Sequence, residues 1–191
     1  MRKIILASAS PKRKELLKDT GLKFEIVPSD YEENMSLPLP PGELVQFLSK
    51  GKAESIAKNY EDAVIIGADT IIYFNGHILG KPHTPERARE MLSMLSGQEH
   101  SAFTGFTVID TRSGKRISQT VETKVQFKEL SDSTIDEYIK TGNPLKYAGS
   151  YTLNDILDKF VRKVEGDHSN IIGLPVDSVM RALESLDIKI K

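Results

Sequence analysis

The sequence predicts a mixed α/β fold, a twisted sheet with helices packed on it and a cleft between two lobes. Three observations carry this. Short apolar runs at residues 4–7 and 63–68 suit buried strands. Amphipathic stretches with helical spacing follow them, the first opened by Ser10-Pro11. Asn75-Gly76 and Arg112-Ser113-Gly114 then separate alternating segments, as hairpin turns do.

In chain order, residues 4–7 form the first strand. The helix begun by Ser10-Pro11 runs to Thr20 and stops at Gly21. Residues 23–27 alternate as a strand, and 28–41 are a loop rich in acid and proline. From 41 to 59, Leu44, Phe47, Leu48, Ala53, Ile56 and Ala57 recur at helical spacing. A strand at 63–68 precedes a hairpin of 71–74 and 77–79. Thr84-Pro85-Glu86 opens a helix that ends near Gly97. Residues 103–110 and 115–127 read as long antiparallel strands, and 131–140 as a helix with an acidic first turn. Residues 156–164 are weakly helical. The last helix, 175–186, carries Val176, Val179, Met180, Leu183 and Leu186 on one face.

Composition narrows the function classes. A chain of 191 residues with 39% hydrophobic and 28% charged side chains can bury a core and is not a disordered polymer. It has no cysteine, which excludes disulfides, thiolate metal sites and cysteine nucleophiles. The apolar run after Met1 is too short for a signal peptide or a membrane span, so a cytoplasmic protein with no membrane partner is expected. With 26 basic and 27 acidic residues the net charge is −1, without the basic excess of a nucleic-acid binder. His77, His83, His100 and His168 are too dispersed for a metal motif.

Five places could carry chemistry. Ser8, Ser10, Lys12 and Arg13 lie between a buried strand and a helix N-terminus, where free N–H groups attract anions. An ordinary helix cap beside solvated cations gives the same pattern. Asp69-Thr70 follows an apolar strand and two small residues, as an active-site acid or a strand-ending turn would. The acidic loop Asp30-Tyr31-Glu32-Glu33 offers oxygen ligands of the kind Mg²⁺ takes, although most charged loops are merely solvated. Lys81 is held between Gly80 and Pro82. Lys52 lies in a helix beside Gly51, and a glycine there suggests the close approach of another group.

Leu6-Ala7-Ser8-Ala9-Ser10-Pro11-Lys12-Arg13-Lys14-Glu15-Leu16-Leu17 is similar to the opening signature of the Maf family of nucleotide pyrophosphatases, Leu-Ala-Ser-x-Ser-Pro-Arg-Arg-x-x-Leu-Leu. Ser29-Asp30-Tyr31-Glu32-Glu33 resembles that family's acidic loop. Lys52-Ala53, Gly67-Ala68-Asp69-Thr70, Gly80-Lys81-Pro82, Leu95-Ser96-Gly97 with His100, and Thr104-Gly105 follow in the family's order. Glu122-Thr123, Ala148-Gly149-Ser150-Tyr151 and Gly173-Leu174-Pro175 complete a match over nearly the whole chain. The resemblance implies one domain over 1–191, with two lobes around a central cleft. It implies an elongated α/β fold with a mixed twisted sheet, related to inosine triphosphate pyrophosphatases (Maf/Ham1-like) and often dimeric, which leaves a homodimer open.

The resemblance also implies cleavage of a nucleoside triphosphate between its α- and β-phosphates with Mg²⁺ or Mn²⁺, to a monophosphate and pyrophosphate. Position by position, Asp69 matches the catalytic acid, Glu33 the acidic-loop glutamate, and Lys52 and Lys81 the phosphate-handling lysines. Glu33 and Asp69 are the implied metal ligands. Ser8, Ser10 and Arg13 match the phosphate loop, and Lys12, Thr70 and Asn154 the positions that sort substrates. The match favours the branch acting on dTTP and UTP, or on modified nucleotides in house-cleaning of the nucleotide pool. Three departures bear on base preference. Lys12 replaces a usual arginine, Asn143 and Lys146 stand where acids are common, and Asn154 replaces a usual glutamine. The alternative implied by the family is a non-catalytic regulator of cell division or septum formation that acts by binding.

Overall fold

The computed structural model describes residues 2–188. Met1 and residues 189–191, which the expected domain includes, lie outside the described residues. Seven strands form one mixed sheet flanked by helices. The strands are β1 (Lys3–Leu6), β2 (Glu25–Ile26), β3 (Ala63–Phe74), β4 (His77–Leu79), β5 (Glu99–Asp110), β6 (Arg116–Phe127) and β7 (Val161–Glu165). Their order is β2-β1-β3-β5-β6-β7, with β4 on β3. β1 is parallel to β2 and β3, whereas β4 and β7 are antiparallel to β3 and β6. The helices are α1 (Pro11–Asp19), α2 (Pro41–Ala57), α3 (Pro85–Leu95), α4 (Asp132–Lys140), α5 (Leu153–Phe160), α6 (His168–Ile172) and α7 (Val176–Ser185). No described helix is long and apolar enough to cross a membrane.

Local signals explain most boundaries. Ser10 caps α1 by accepting from the Arg13 N–H, and Pro11 takes the first turn, where its missing donor costs nothing. Thr84 caps α3 and Ser131 caps α4 in the same way. Asn75 and Gly76 both take positive φ in the β3–β4 turn, which that tight connection requires.

Four elements differ from the sequence expectation. The strand expected at 23–27 is only Glu25–Ile26, and both residues are exposed, so no buried face enforces a longer pairing. The runs at 63–68 and 71–74 are one continuous strand, β3. Asp69 is buried within it, and Thr70 follows in extended conformation. Asp69-Thr70 therefore interrupts the apolar pattern without ending the strand. The weak helix expected at 156–164 is α5 followed by β7. Ile156, Phe160 and Val164 recur every four residues and mimic one helix, yet the chain turns extended at Val161, a β-branched residue at home on a pleated strand. The short helix α6 had no counterpart in the sequence reading.

The chain forms two compact units. One comprises Met1–Asp69, Thr104–Val121 and Gly173–Lys191, and the other Thr70–Phe103 and Glu122–Ile172. In the first unit one core gathers Leu6, Leu17, Ile66, Phe106, Val179 and Leu183. A second lies around Ile5, Ala53, Ile56 and Ile65. The second unit has its own core, with Ile72, Leu92, Phe127, Ile156 and Phe160. There His100 packs edge-on against Phe127 and Tyr151, and its Nε2 lies 2.7 Å from the Tyr151 hydroxyl. Burial pushes the His100 imidazole down to about 3, so it is neutral.

In the first unit α2 lies very close to the sheet. A Cβ on Gly67 of β3 would meet the Ser49 carbonyl oxygen at 2.5 Å and the Ala53 nitrogen at 2.8 Å. A Cβ on Gly105 of β5 would meet the Val45 carbonyl at 2.3 Å. Only hydrogen fits at either carbon. The Ser49 and Thr107 hydroxyls, 2.9 Å apart, tie the contact, and Gln46 donates to the Ser118 carbonyl at 2.8 Å. This seating brings Lys52 on α2 to Asp69 on β3.

Gly67→Ala and Gly105→Ala push a methyl into the backbone of α2, so each is expected to cost about 1–3 kcal/mol, the usual range for overpacking. Gly80→Ala, whose new methyl meets nothing within 4 Å, serves as the control. Urea denaturation of the three variants checks this. Native stability in Gly67→Ala and Gly105→Ala would count against the close seating.

Candidate active site

Asp69 is 5% exposed and Lys52 9%. Two charged groups at that depth need partners, because an unpaired charge away from water is strongly penalised. Lys52 meets the need with two carboxylates. Its ammonium donates to Asp69 and also pairs with Glu33 Oε1 at 2.7 Å. Glu33, on the acidic loop, is partly open to solvent, with 43% of its side chain exposed. Asp69 is thus the closed member of the pair and Glu33 the open one.

Burial raises the Asp69 carboxyl above its ordinary range, and the positive charges of Lys52 and Arg13 oppose that rise. Arg13 shares the same field. Burial lowers its pKa, and the charges of Asp69 and Glu33 act in the other direction. Arg13 remains a cation throughout.

Arg13 is held from several sides. Its Nε donates to the Gly173 carbonyl at 2.8 Å, and its Nη1 to Ser8 Oγ at 3.3 Å. Ser8 is buried, and its hydroxyl also accepts from the Ser10 N–H at 3.2 Å. The loop between β1 and α1 is therefore an ordered turn, with two hydroxyls and a guanidinium at the N-terminal end of a helix. Such a turn presents donors suited to a phosphate. Lys12 pairs with Glu15 at 3.1 Å, on the exposed side of the same helix turn.

The structure brings Glu33, Lys52, Asp69 and Arg13 into one electrostatic group, with Ser8 and Ser10 bonded to Arg13. All belong to the first unit. Lys81, Thr70 and Asn154 belong to the second. Lys81 is exposed after β4, Thr70 is half-buried in β3, and Asn154 is exposed in the first turn of α5.

Glu33 and Asp69 are hard oxygen donors converging on one ammonium, which fits a magnesium-like ion better than a soft metal. No cluster of three or more His, Cys, Asp or Glu side chains suited to hold an ion occurs among the described residues. A cation here would draw on two carboxylates and on phosphate oxygens of a ligand, the usual arrangement for Mg²⁺.

Sequence reasoning missed the supports of this group. Gly67 and Gly105 admit α2, and the Gly173 carbonyl orients Arg13. Tyr31 lies over Gly51. The one available signal was Gly51 itself, a glycine placed where a helix former is expected.

The family model for Maf-like proteins matches residues 3–186. A dTTP/UTP pyrophosphatase of Syntrophus aciditrophicus (strain SB) is 42% identical over 184 residues, 96% of this chain and 90% of that protein. One from Methanosarcina barkeri (strain Fusaro / DSM 804) is 43% identical over 191 residues, 100% of this chain and 97% of that protein. One from Bacillus cereus (strain B4264) is 40% identical over 190 residues, 100% of this chain and 98% of that protein. With its buried acid–lysine pair beside an ordered β1–α1 turn, and with likeness running the length of the chain, the protein belongs to the Maf-like family.

Proposed function

We propose that this chain is a nucleoside triphosphate pyrophosphatase that hydrolyses dTTP or UTP to the monophosphate and pyrophosphate. The observation that carries the reading is the buried Asp69–Lys52 pair, shared with Glu33 and set beside the Ser8–Ser10–Arg13 turn. The names of relatives at 40–43% identity over 90–98% of their length support it.

A triphosphate carries roughly three to four negative charges, which must be offset before a nucleophile can approach. Arg13, with the Ser8 and Ser10 hydroxyls, binds phosphate oxygens at the start of α1. Lys52 adds positive charge beside those oxygens, and the family resemblance gives Lys81 a phosphate-handling role. When held by Glu33 and Asp69, Mg²⁺ or Mn²⁺ supplies further positive charge against the phosphates. Asp69 orients a water and accepts its proton as the water oxygen bonds to the α-phosphorus. The bond from the α-phosphorus to the bridging oxygen breaks, and pyrophosphate leaves with the electron pair. A buried carboxylate with a raised pKa is a stronger base than an exposed one, which suits this task. Base preference falls to Lys12, Thr70 and Asn154 by the family resemblance alone.

Asp69→Asn keeps the shape and removes the charge. We expect kcat to fall roughly 10²-fold or more, the scale of a positioned acid–base group. Pyrophosphate release measured with purified protein checks this, and a near-native kcat would remove Asp69 from the role.

Activity is expected to vanish in excess EDTA and to return with Mg²⁺ or Mn²⁺. Full turnover under EDTA would eliminate the two-carboxylate cation site.

A screen of canonical and modified nucleoside triphosphates, with monophosphate and pyrophosphate both detected, is expected to rank dTTP and UTP first. Discrimination should be modest. Asn154 is exposed and one methylene shorter than glutamine, and Lys12 has fewer directed donors than arginine, so fewer oriented groups tell one base from another. A purine triphosphate preferred tenfold or more in kcat/KM would overturn the base assignment while leaving pyrophosphate release standing.

A further inference from the structure

Glu33 stands in a segment without regular structure, between β2 and α2. Asp30, Glu32 and Glu33 crowd three acids into four residues, and their repulsion favours a splayed, mobile segment. Yet Glu33 meets Lys52 at 2.7 Å. Its position needs a mechanical cause beyond its own ion pair.

Two contacts pin the segment to α2. The Ser29 and Ser55 hydroxyls lie 2.8 Å apart. Two residues on, the Tyr31 ring lies against the helix at Gly51. A Cβ built on Gly51 would sit 2.3 Å from Tyr31 Cζ, 2.5 Å from Cε2 and 2.7 Å from Cε1. Gly51 and Ser55 are one turn apart and share a helix face, with Lys52 beside them. The Tyr31 N–H donates to Ser29 Oγ at 3.1 Å and closes the turn between the two pins.

Glycine in a helix interior loses stability relative to alanine. Gly51 has no positive φ to justify it. What the missing methyl provides is room for the Tyr31 ring.

We propose that Tyr31 is a positioning residue: its ring, seated on Gly51, sets where Glu33 meets Lys52. The proposal rests on the pyrophosphatase reading and adds a pair of residues that act through Glu33. Ring carbons make the contact, so the aromatic face carries the effect and phenylalanine can replace tyrosine.

The test uses the full chain and the variants Tyr31→Ala, Tyr31→Phe, Gly51→Ala and Glu33→Gln, with the first and third also placed in the Glu33→Gln background. Four quantities are read: the melting temperature, kcat and KM for dTTP with Mg²⁺, and hydrogen exchange of the backbone amides at 30–33. Tyr31→Ala and Gly51→Ala are expected to keep the wild-type melting temperature within a few degrees and to lower kcat about tenfold or more. A displacement of roughly 1 Å in a positioned group has effects of that size. Exchange at 30–33 should quicken at least tenfold, and Tyr31→Phe should restore kcat to within about threefold of wild type. In the Glu33→Gln background neither substitution should lower kcat more than twofold further, because the group it positions is already gone. Undiminished kcat in Gly51→Ala, unchanged exchange, or a full additional loss on top of Glu33→Gln would each overturn the proposal. Should Gly51→Ala fail to fold, Tyr31→Ala, which leaves the helix intact, decides. A wild-type protein that releases no pyrophosphate would defeat the pyrophosphatase reading, and the exchange measurement would still show whether the ring holds the loop.

Discussion

One buried ammonium holds the candidate site together. Lys52 pairs with Asp69 and Glu33 at once, and neither it nor Asp69 has much access to water. Removing one partner of such a pair typically costs about 3–5 kcal/mol, because the other is left charged and stranded. Lys52 therefore serves the fold and the chemistry together, and activity alone cannot separate the two roles. The pair also explains how an acid can lie within a strand. Without a cation aimed at it from α2, Asp69 would have to sit at a strand end and take its solvation from water.

Such aim requires short distances, and backbone alone provides them here. Helix and sheet approach until carbonyl groups of α2 stand over the α-carbons of Gly67 and Gly105. Hydroxyl contacts from Ser49 and Thr107 then fix the helix against sliding. At ordinary spacing the Lys52 side chain would still reach Asp69, but as a flexible tether rather than a fixed ion pair.

How legible this was in the sequence varies by element. The α1 start was plain because Ser10 and Pro11 act within their own helical turn. The β3–β4 hairpin was equally plain from Asn75-Gly76. The α5–β7 junction was hidden because Phe160 and Val164 keep helical spacing across it, and only pairing with β6 draws the chain out. The unbroken β3 was hidden because an acid in an apolar run reads as an ending until its distant partner, Lys52, is known. Among candidate residues, Ser8, Ser10, Arg13, Glu33, Lys52 and Asp69 were all named from sequence, and the structure joins them. Their supports stayed hidden, since a glycine gives no sign of which atom will approach it.

The glycines supporting the site also differ in what sequence drift they permit. At Gly51 the obstacle to a methyl is an aromatic ring at the far end of a side chain. A smaller residue at 31 would clear the space for the methyl, but it would also give up the ring that positions Glu33. At Gly67 and Gly105 the obstacles are main-chain atoms of α2, present whatever the side chains there. No second substitution can make room for a methyl at those carbons. The first contact therefore binds position 51 to the ring at 31 through function, while the other two stay glycine for as long as the helix lies where it does.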